Sequence, residues 1–226
     1  MPIARAGALL VCAVAAAALA ACFGPRMSIE TPVGVSLAGN WKLDPAASDD
    51  PQKTLALMRA EAQKIINRAN AAQGRPETPP PGAAGADASG PPAHGARRDP
   101  LQYSAMAHVV EALLERSDHL SIRQAADEMV FDWSTSRRSF VPGAHSVVSA
   151  EGGVGDQTSG WDGKQYVVRI KPQMGPLITD SFGLSADGKH LVEKVHVDQY
   201  ELPAVTITRT YNPTTETGPR PLSSGD

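Results

Sequence analysis

Cysteine is almost missing from this chain: there are two in 226 residues, Cys12 and Cys22. If a leader containing Cys12 is removed, one thiol remains, and no disulfide can form within the chain. A basic surplus is missing too, since 21 Lys and Arg stand against 24 Asp and Glu. Nucleic-acid binders carry a clear basic patch, so nothing here points to a nucleic-acid partner. Beyond the first residues no apolar run approaches the ~20 residues a spanning helix needs. The chain has no phosphate-cradling glycine loop, no nucleophile elbow, no zincin motif and no CxxC pair. The expectation is therefore a protein that is not an enzyme and uses no cofactor.

What is present begins with the leader. Arg5 supplies a positive start, no Asp or Glu precedes Glu30, and an alanine-rich apolar run extends from Ala6 to Ala21. That layout is a secretory signal, too short for a membrane span. It ends in Leu19-Ala20-Ala21-Cys22. This resembles the lipobox of bacterial lipoproteins, an aliphatic residue and two small residues before Cys. The resemblance implies cleavage after residue 21, a diacylglyceryl group on the Cys22 thiol and a fatty acyl chain such as palmitate on its new amine. Several chains on one residue would anchor the protein firmly, where one gives only marginal binding. Phe23 follows Cys22. In the family an Asp there favours the inner membrane, so the expected location is the periplasmic face of the outer membrane. Loss of residues 1–21 removes one Arg and no acid, leaving 20 basic against 24 acidic residues and a formal charge of −4.

The remainder divides unevenly. Residues 22–34 read as a tether. Residues 35–44 read as a strand, with Val35, Leu37, Trp41 and Leu43 on one face. Residues 50–73 read as a helix capped by Asp50, with Pro51 at its first position and an apolar stripe of Leu55, Met58, Ala62, Ile65, Ile66 and Ala69. Residues 74–100 are rich in Pro, Gly and Ala and read as a disordered linker, because they offer too little apolar surface to offset ordering. A second helix is predicted over 101–117, with Met106, Val109, Val110, Leu113 and Leu114 on its apolar face.

From residue 118 to 213 the pattern is strands. His119–Arg123 alternates, Met129, Phe131 and Trp133 alternate, and Arg138–Val141 ends at Pro142-Gly143. Asp162-Gly163 and Asp187-Gly188 each separate two strand-like runs, which is a hairpin signal. Val205, Ile207, Arg209 and Tyr211 share one face of the last strand, and residues 214–226 read as a disordered tail. Short antiparallel strands at this spacing predict a barrel or a sandwich.

Gly39-Asn40-Trp41 in the first strand looks like the Gly-x-Trp motif of lipocalin-like (calycin) barrels. The resemblance implies a mainly β fold: an antiparallel barrel of about eight strands with a helical insertion after the first. It also implies closure at Gly39, Trp41 and Arg209, the indole plugging one end and the guanidinium stacking across it. The aromatics Phe131, Trp133, Trp161 and Tyr166 are candidates either for barrel core or for the walls of a ligand pocket.

The titratable residues offer no constellation. His190 and His196 share a strand face but lie six residues, about 20 Å, apart at the usual strand rise, too far for one metal. His119 and His145 read as surface residues near turns. Glu193, among Leu191, Val195 and Val197, reads as a carboxylate paired with an interior Arg or Lys or lying at a wet barrel mouth, or as a buried one with a raised pKa in an acid or base role. Ser159, Ser181 and Thr179 have no His-Asp partner that spacing identifies. Two functions stay open: binding of a small apolar or amphiphilic ligand in a barrel mouth, or assembly with another envelope protein through the helices.

Overall fold

A computed structural model describes residues 27–74, 99–150, 153–216 and 218. The expected signal peptide, Cys22 and most of the expected linker lie outside the described residues.

Ten strands form one antiparallel sheet: β1 (Gly39–Leu43), β2 (His119–Gln124), β3 (Met129–Asp132), β4 (Arg137–Phe140), β5 (His145–Ala150), β6 (Gly153–Asp162), β7 (Gln165–Pro172), β8 (Leu177–Leu184), β9 (Leu191–Gln199) and β10 (Leu202–Pro213). Their order is β4-β3-β2-β1-β10-β9-β8-β7-β6-β5. The sheet thus has ten strands rather than about eight, and it stays open between β4 and β5. The strand most easily missed in the sequence is β5, because only Val148 and Ala150 of its six residues are even partly buried. The first and last strands are neighbours, with Trp41 opposite Pro213 and Leu43 opposite Tyr211.

The sheet curls on itself. Phe131 of β3 and Phe182 of β8 are far apart in strand order, yet their ring centroids lie 4.3 Å apart. Around them Leu37, Trp41, Leu120, Phe140, Trp161 and Tyr211 fill the interior, all buried. Across the open seam, Arg138 of β4 donates to Gln157 of β6 at 2.9 Å, and Gln157 donates to Ser146 of β5 at 3.0 Å. Side chains therefore bridge edges that lack a backbone ladder.

Two helices fill the connection between β1 and β2: α1 (Pro51–Ala72) and α2 (Ala105–Leu114). Asp50 caps α1 by accepting from the Gln52 amide, and Ser104 caps α2 by accepting from Ala107. Leu55, Met58 and Ala62 of α1 and Met106, Val110 and Leu113 of α2 pack on Val195, Val197 and Ile207 of β9 and β10. The rest of the α1 stripe runs past this contact, leaving Ile65 and Ile66 exposed. Residues 101–104 precede α2 as a turn closed by Ser104 donating to the Leu101 carbonyl at 2.8 Å.

The strand expected over 35–44 is regular only from Gly39. Ahead of it the Gln124 side chain stands in for a neighbouring strand, accepting from the Leu37 amide at 2.8 Å and donating to the Val35 carbonyl at 3.2 Å. Asp162 pairs with Gln165, so Gly163 and Lys164 form a two-residue turn, with Gly163 at φ +58° where an L side chain is disfavoured. The second hairpin is longer: Leu184 pairs with Leu191, and Asp187 accepts from the Ser185 hydroxyl at 2.6 Å within the loop.

Two supposed free ends are attached. Ser28 bridges to Trp161, with amide-to-carbonyl distances of 2.7 and 2.8 Å, so the tether is docked from Met27 onward. A Cβ on Gly160 would stand 2.8 Å from both the Met27 side chain and the Ser28 carbonyl, so this approach needs a glycine. At the other terminus Thr214 donates to the Asn40 carbonyl, and Glu216 pairs with Lys42 at 2.8 Å and His119 at 3.2 Å.

The up-and-down topology sorts the connections to two ends. The helices, the β7–β8 connection and the β9–β10 turn lie at one end, here the helix end. Residues 27–38, the β4–β5 turn and the turns at Gly163 and Gly188 lie at the other, the turn end.

Candidate functional site

At the helix end a cavity of about 450 Å³ lies between α2 and the inner face of the sheet. Val109 and Leu113 of α2 form one wall; Val148, Val168, Ile178 and Val195, from β5, β7, β8 and β9, form the other. Each strand contributes through its period-two alternation, which turns these positions inward. Three charged residues interrupt the apolar lining: Arg116, just beyond α2, Arg138 of β4 and Asp180 of β8.

These charges belong to a larger buried network. Arg116 forms an ion pair with Glu193, which is wholly buried, and lies 3.5 Å from the Asp180 carboxylate. The second Glu193 oxygen accepts the Tyr211 hydroxyl at 2.6 Å and stands 3.7 Å from Arg209. Burial and the Glu193 charge push the Tyr211 hydroxyl well above its usual range, so it stays a donor. Burial, then the neighbouring Glu193 charge, raises Asp180 from 3.8 to about 7 against the pull of Arg116 and Arg138. Burial lowers Arg138 from its usual value.

The network contains three guanidinium groups, Arg116, Arg138 and Arg209, and two carboxylates, Asp180 and Glu193. Arg116 and Arg209 are taken up by the acids, whereas Arg138 donates to the neutral Gln157 amide, lies over the Phe140 ring and feels Asp180 only at longer range, with no ion pair within 4 Å among the described residues. With Asp180 ionised, the cavity floor carries one uncompensated positive charge. A polar head of negative charge and an apolar body would each meet a matching surface there.

The sequence-derived candidates are placed differently. Phe131, Trp133, Trp161 and Tyr166 are buried, with edge, stacked and tilted ring contacts among them, and none lines this cavity. They fill the interior of the curled sheet around Phe182, with Trp133 beneath the Arg116 guanidinium. Gly39 and Trp41 lie at the β1–β10 closure, but Trp41 is fixed by its own indole nitrogen donating to the Leu37 carbonyl at 3.1 Å. Arg209 does not stack on Trp41. Its guanidinium stands 5.4 Å from the Tyr211 ring centre, drawn inward by Glu193, and the indole that receives a guanidinium is Trp133, 4.7 Å from Arg116. His190 bonds to Asn212 and His196 to Thr206, and among the described residues no group of three His, Cys, Asp or Glu converges on a metal position. Arg116, Arg138 and Asp180 were missed. Asp180 alternates with Ile178 and Phe182, and that inward register was the available signal for it; Arg116 becomes significant only once α2 is docked.

A second hollow, about 380 Å³, separates α1 from the β9–β10 hairpin and is lined by Leu57, Met58, Leu202, Pro203 and Val205.

No protein-family model and no curated protein matches this chain. Among solved structures it is similar to lipid binding protein 8 of Caenorhabditis elegans in its apo form, at 12% identity and a TM-score of 0.45, over 80% of this chain and 100% of that one. It is also similar to the secretory abundant heat soluble protein of Ramazzottius varieornatus, at 13% identity and a TM-score of 0.40, over 82% and 99% of the two chains. A third is zebrafish ileal bile acid-binding protein complexed with cholic acid, at 13% identity and a TM-score of 0.37, over 78% and 98%.

Proposed function

We propose that this protein is a lipid-anchored envelope lipoprotein that binds a small amphiphile, apolar body with anionic head, in the cavity beneath α2. The cavity itself carries the reading: apolar walls from α2 and four strands converge on a floor where Arg138 makes no close ion pair among the described residues. The Leu19-Ala20-Ala21-Cys22 lipobox supports the anchor, and Phe23 after it supports the periplasmic face of the outer membrane.

The cavity is tested by calorimetry with dodecanoate and dodecanol. Dodecanoate should bind about tenfold more tightly, a difference of about 1.4 kcal/mol, and Arg138→Gln should remove most of that preference. If neither compound binds, the cavity is not a ligand site. The anchor is tested separately by Cys22→Ala, which should release the protein from membranes; membrane yield equal to wild type would refute it.

A second reading, assembly with an envelope protein through the helices, is favoured by one observation. Leu57 is 73% exposed beside the apolar α1 hollow, a surface a partner helix could cover.

A further inference from the structure

We infer that the turn end of the barrel is a membrane-seating surface, held against the bilayer by the lipidated Cys22, with the cavity mouth facing away. The inference rests on the lipoprotein reading above and adds an orientation to it.

It begins with the docked N-terminal segment. The bridge between Ser28 and Trp161 fixes the chain at the turn end. Ile29 then packs on Gly143 in the β4–β5 turn, where a Cβ would come within 2.6 Å of its side chain. Gly34 and Val35 lie beside Lys164 and the Ser185–Gly188 loop. The N-terminal segment therefore crosses the turn end before β1 begins.

From Cys22 to Met27 is five residue steps, which span at most about 18 Å when fully extended. The ten residues of β6 run from the helix end to the turn end. At the usual rise and barrel tilt that is a height of roughly 25 Å. The anchor can thus reach the turn end easily, whereas the helix end lies a further barrel height away. A long free tether would have allowed any orientation, and this docked one does not.

The exposed side chains at the turn end suit a bilayer. Ile29 is 62% exposed, Val33 fully exposed and Val141 54% exposed, close to where the anchored chain arrives. Lys164 and Lys189 share the two hairpin turns with the exposed acids Asp162 and Asp187, so the apolar side chains and not a net charge make this contact. The cavity opens at the opposite end, between α2 and β5. In this orientation the ligand enters from the aqueous side and not from the leaflet that holds the anchor.

The test uses the full lipidated protein, reconstituted in vesicles of phosphatidylethanolamine and phosphatidylglycerol that contain a nitroxide-headgroup lipid. With Cys22 acylated and Cys12 removed with the leader, an introduced cysteine is the sole reactive thiol. Val141→Cys reports the turn end, and Tyr200→Cys, in the exposed β9–β10 turn, reports the helix end. A fluorophore at position 141 should be quenched strongly and one at position 200 little. Equal quenching, or stronger quenching at position 200, overturns the orientation while leaving the anchor intact. Failure of the protein to float with vesicles refutes the anchor, and the orientation falls with it.

Discussion

Replacing Glu193 should be among the most damaging single changes to this fold. Its side chain is wholly buried, pairs with Arg116, lies 3.7 Å from Arg209 and accepts the Tyr211 hydroxyl at 2.6 Å. Glu193→Leu removes the negative charge and leaves two guanidinium groups facing each other in a nearly dry interior. Breaking a buried pair by deleting one partner costs about 3–5 kcal/mol. Domains of this size carry roughly 5–15 kcal/mol in total, so the loss is a large share. With a urea slope of about 2 kcal/mol per molar, the midpoint should fall by about 2 M. Glu193→Gln keeps an acceptor for Tyr211 and loses only the charge, so it should cost about 2 kcal/mol, in the range for hydrogen bonds to charged groups. Urea unfolding followed by fluorescence measures both, since Trp133 lies beneath Arg116. A Glu193→Leu stability within about 0.5 kcal/mol of wild type would refute the idea that this carboxylate holds the two arginines in place.

Three further outcomes follow from the same geometry. Asp180 is raised from 3.8 to about 7, so between those values the folded chain keeps a proton that the unfolded chain has released. Its contribution therefore weakens as pH rises from about 4 to about 7, and Asp180→Asn should flatten the fall in urea midpoint between pH 5 and pH 8; an unchanged slope sinks the assignment. Trp41 and Arg209 have separate partners, the Leu37 carbonyl and the Glu193–Tyr211 pair, so Trp41→Ala and Arg209→Leu should be additive within about 0.5 kcal/mol. A coupling energy above about 1 kcal/mol in that cycle would restore a stacked pair. Gly160→Ala places a Cβ 2.8 Å from Met27 and the Ser28 carbonyl. It should therefore release the N-terminal segment, read as faster amide exchange at Ser28 with β7 and β8 unchanged.

Local pattern carried much of the architecture. Asp50-Pro51 is legible as a helix start because capping is a short-range event, satisfied within a few residues, whereas Ser104, the cap of the second helix, lies inside the helix expected over 101–117. The alternation in β2, β9 and β10 is legible because a strand with one face in a core must bury every second residue. β5 is not legible because it is an edge whose two faces are both largely solvated, so HSVVSA carries almost no alternation. The turn at Gly163 could be read as a hairpin signal, but the extra length of the Ser185–His190 loop could not, because both turns contain the same Asp-Gly pair.

The candidate site belongs almost wholly to the tertiary structure. Period-two register put Glu193 and Arg209 on the same face as large apolar neighbours. It could not determine that Arg116, seventy-seven residues before Glu193, would reach that carboxylate, because that depends on how α2 docks on β9. Nor could it place Arg138 across the open β4–β5 seam without a carboxylate of its own. Short-range hydrogen bonding and hydrophobic period fix where elements begin and which face turns inward. Which charges meet on that face, and which one is left over, is decided only when distant strands close around them.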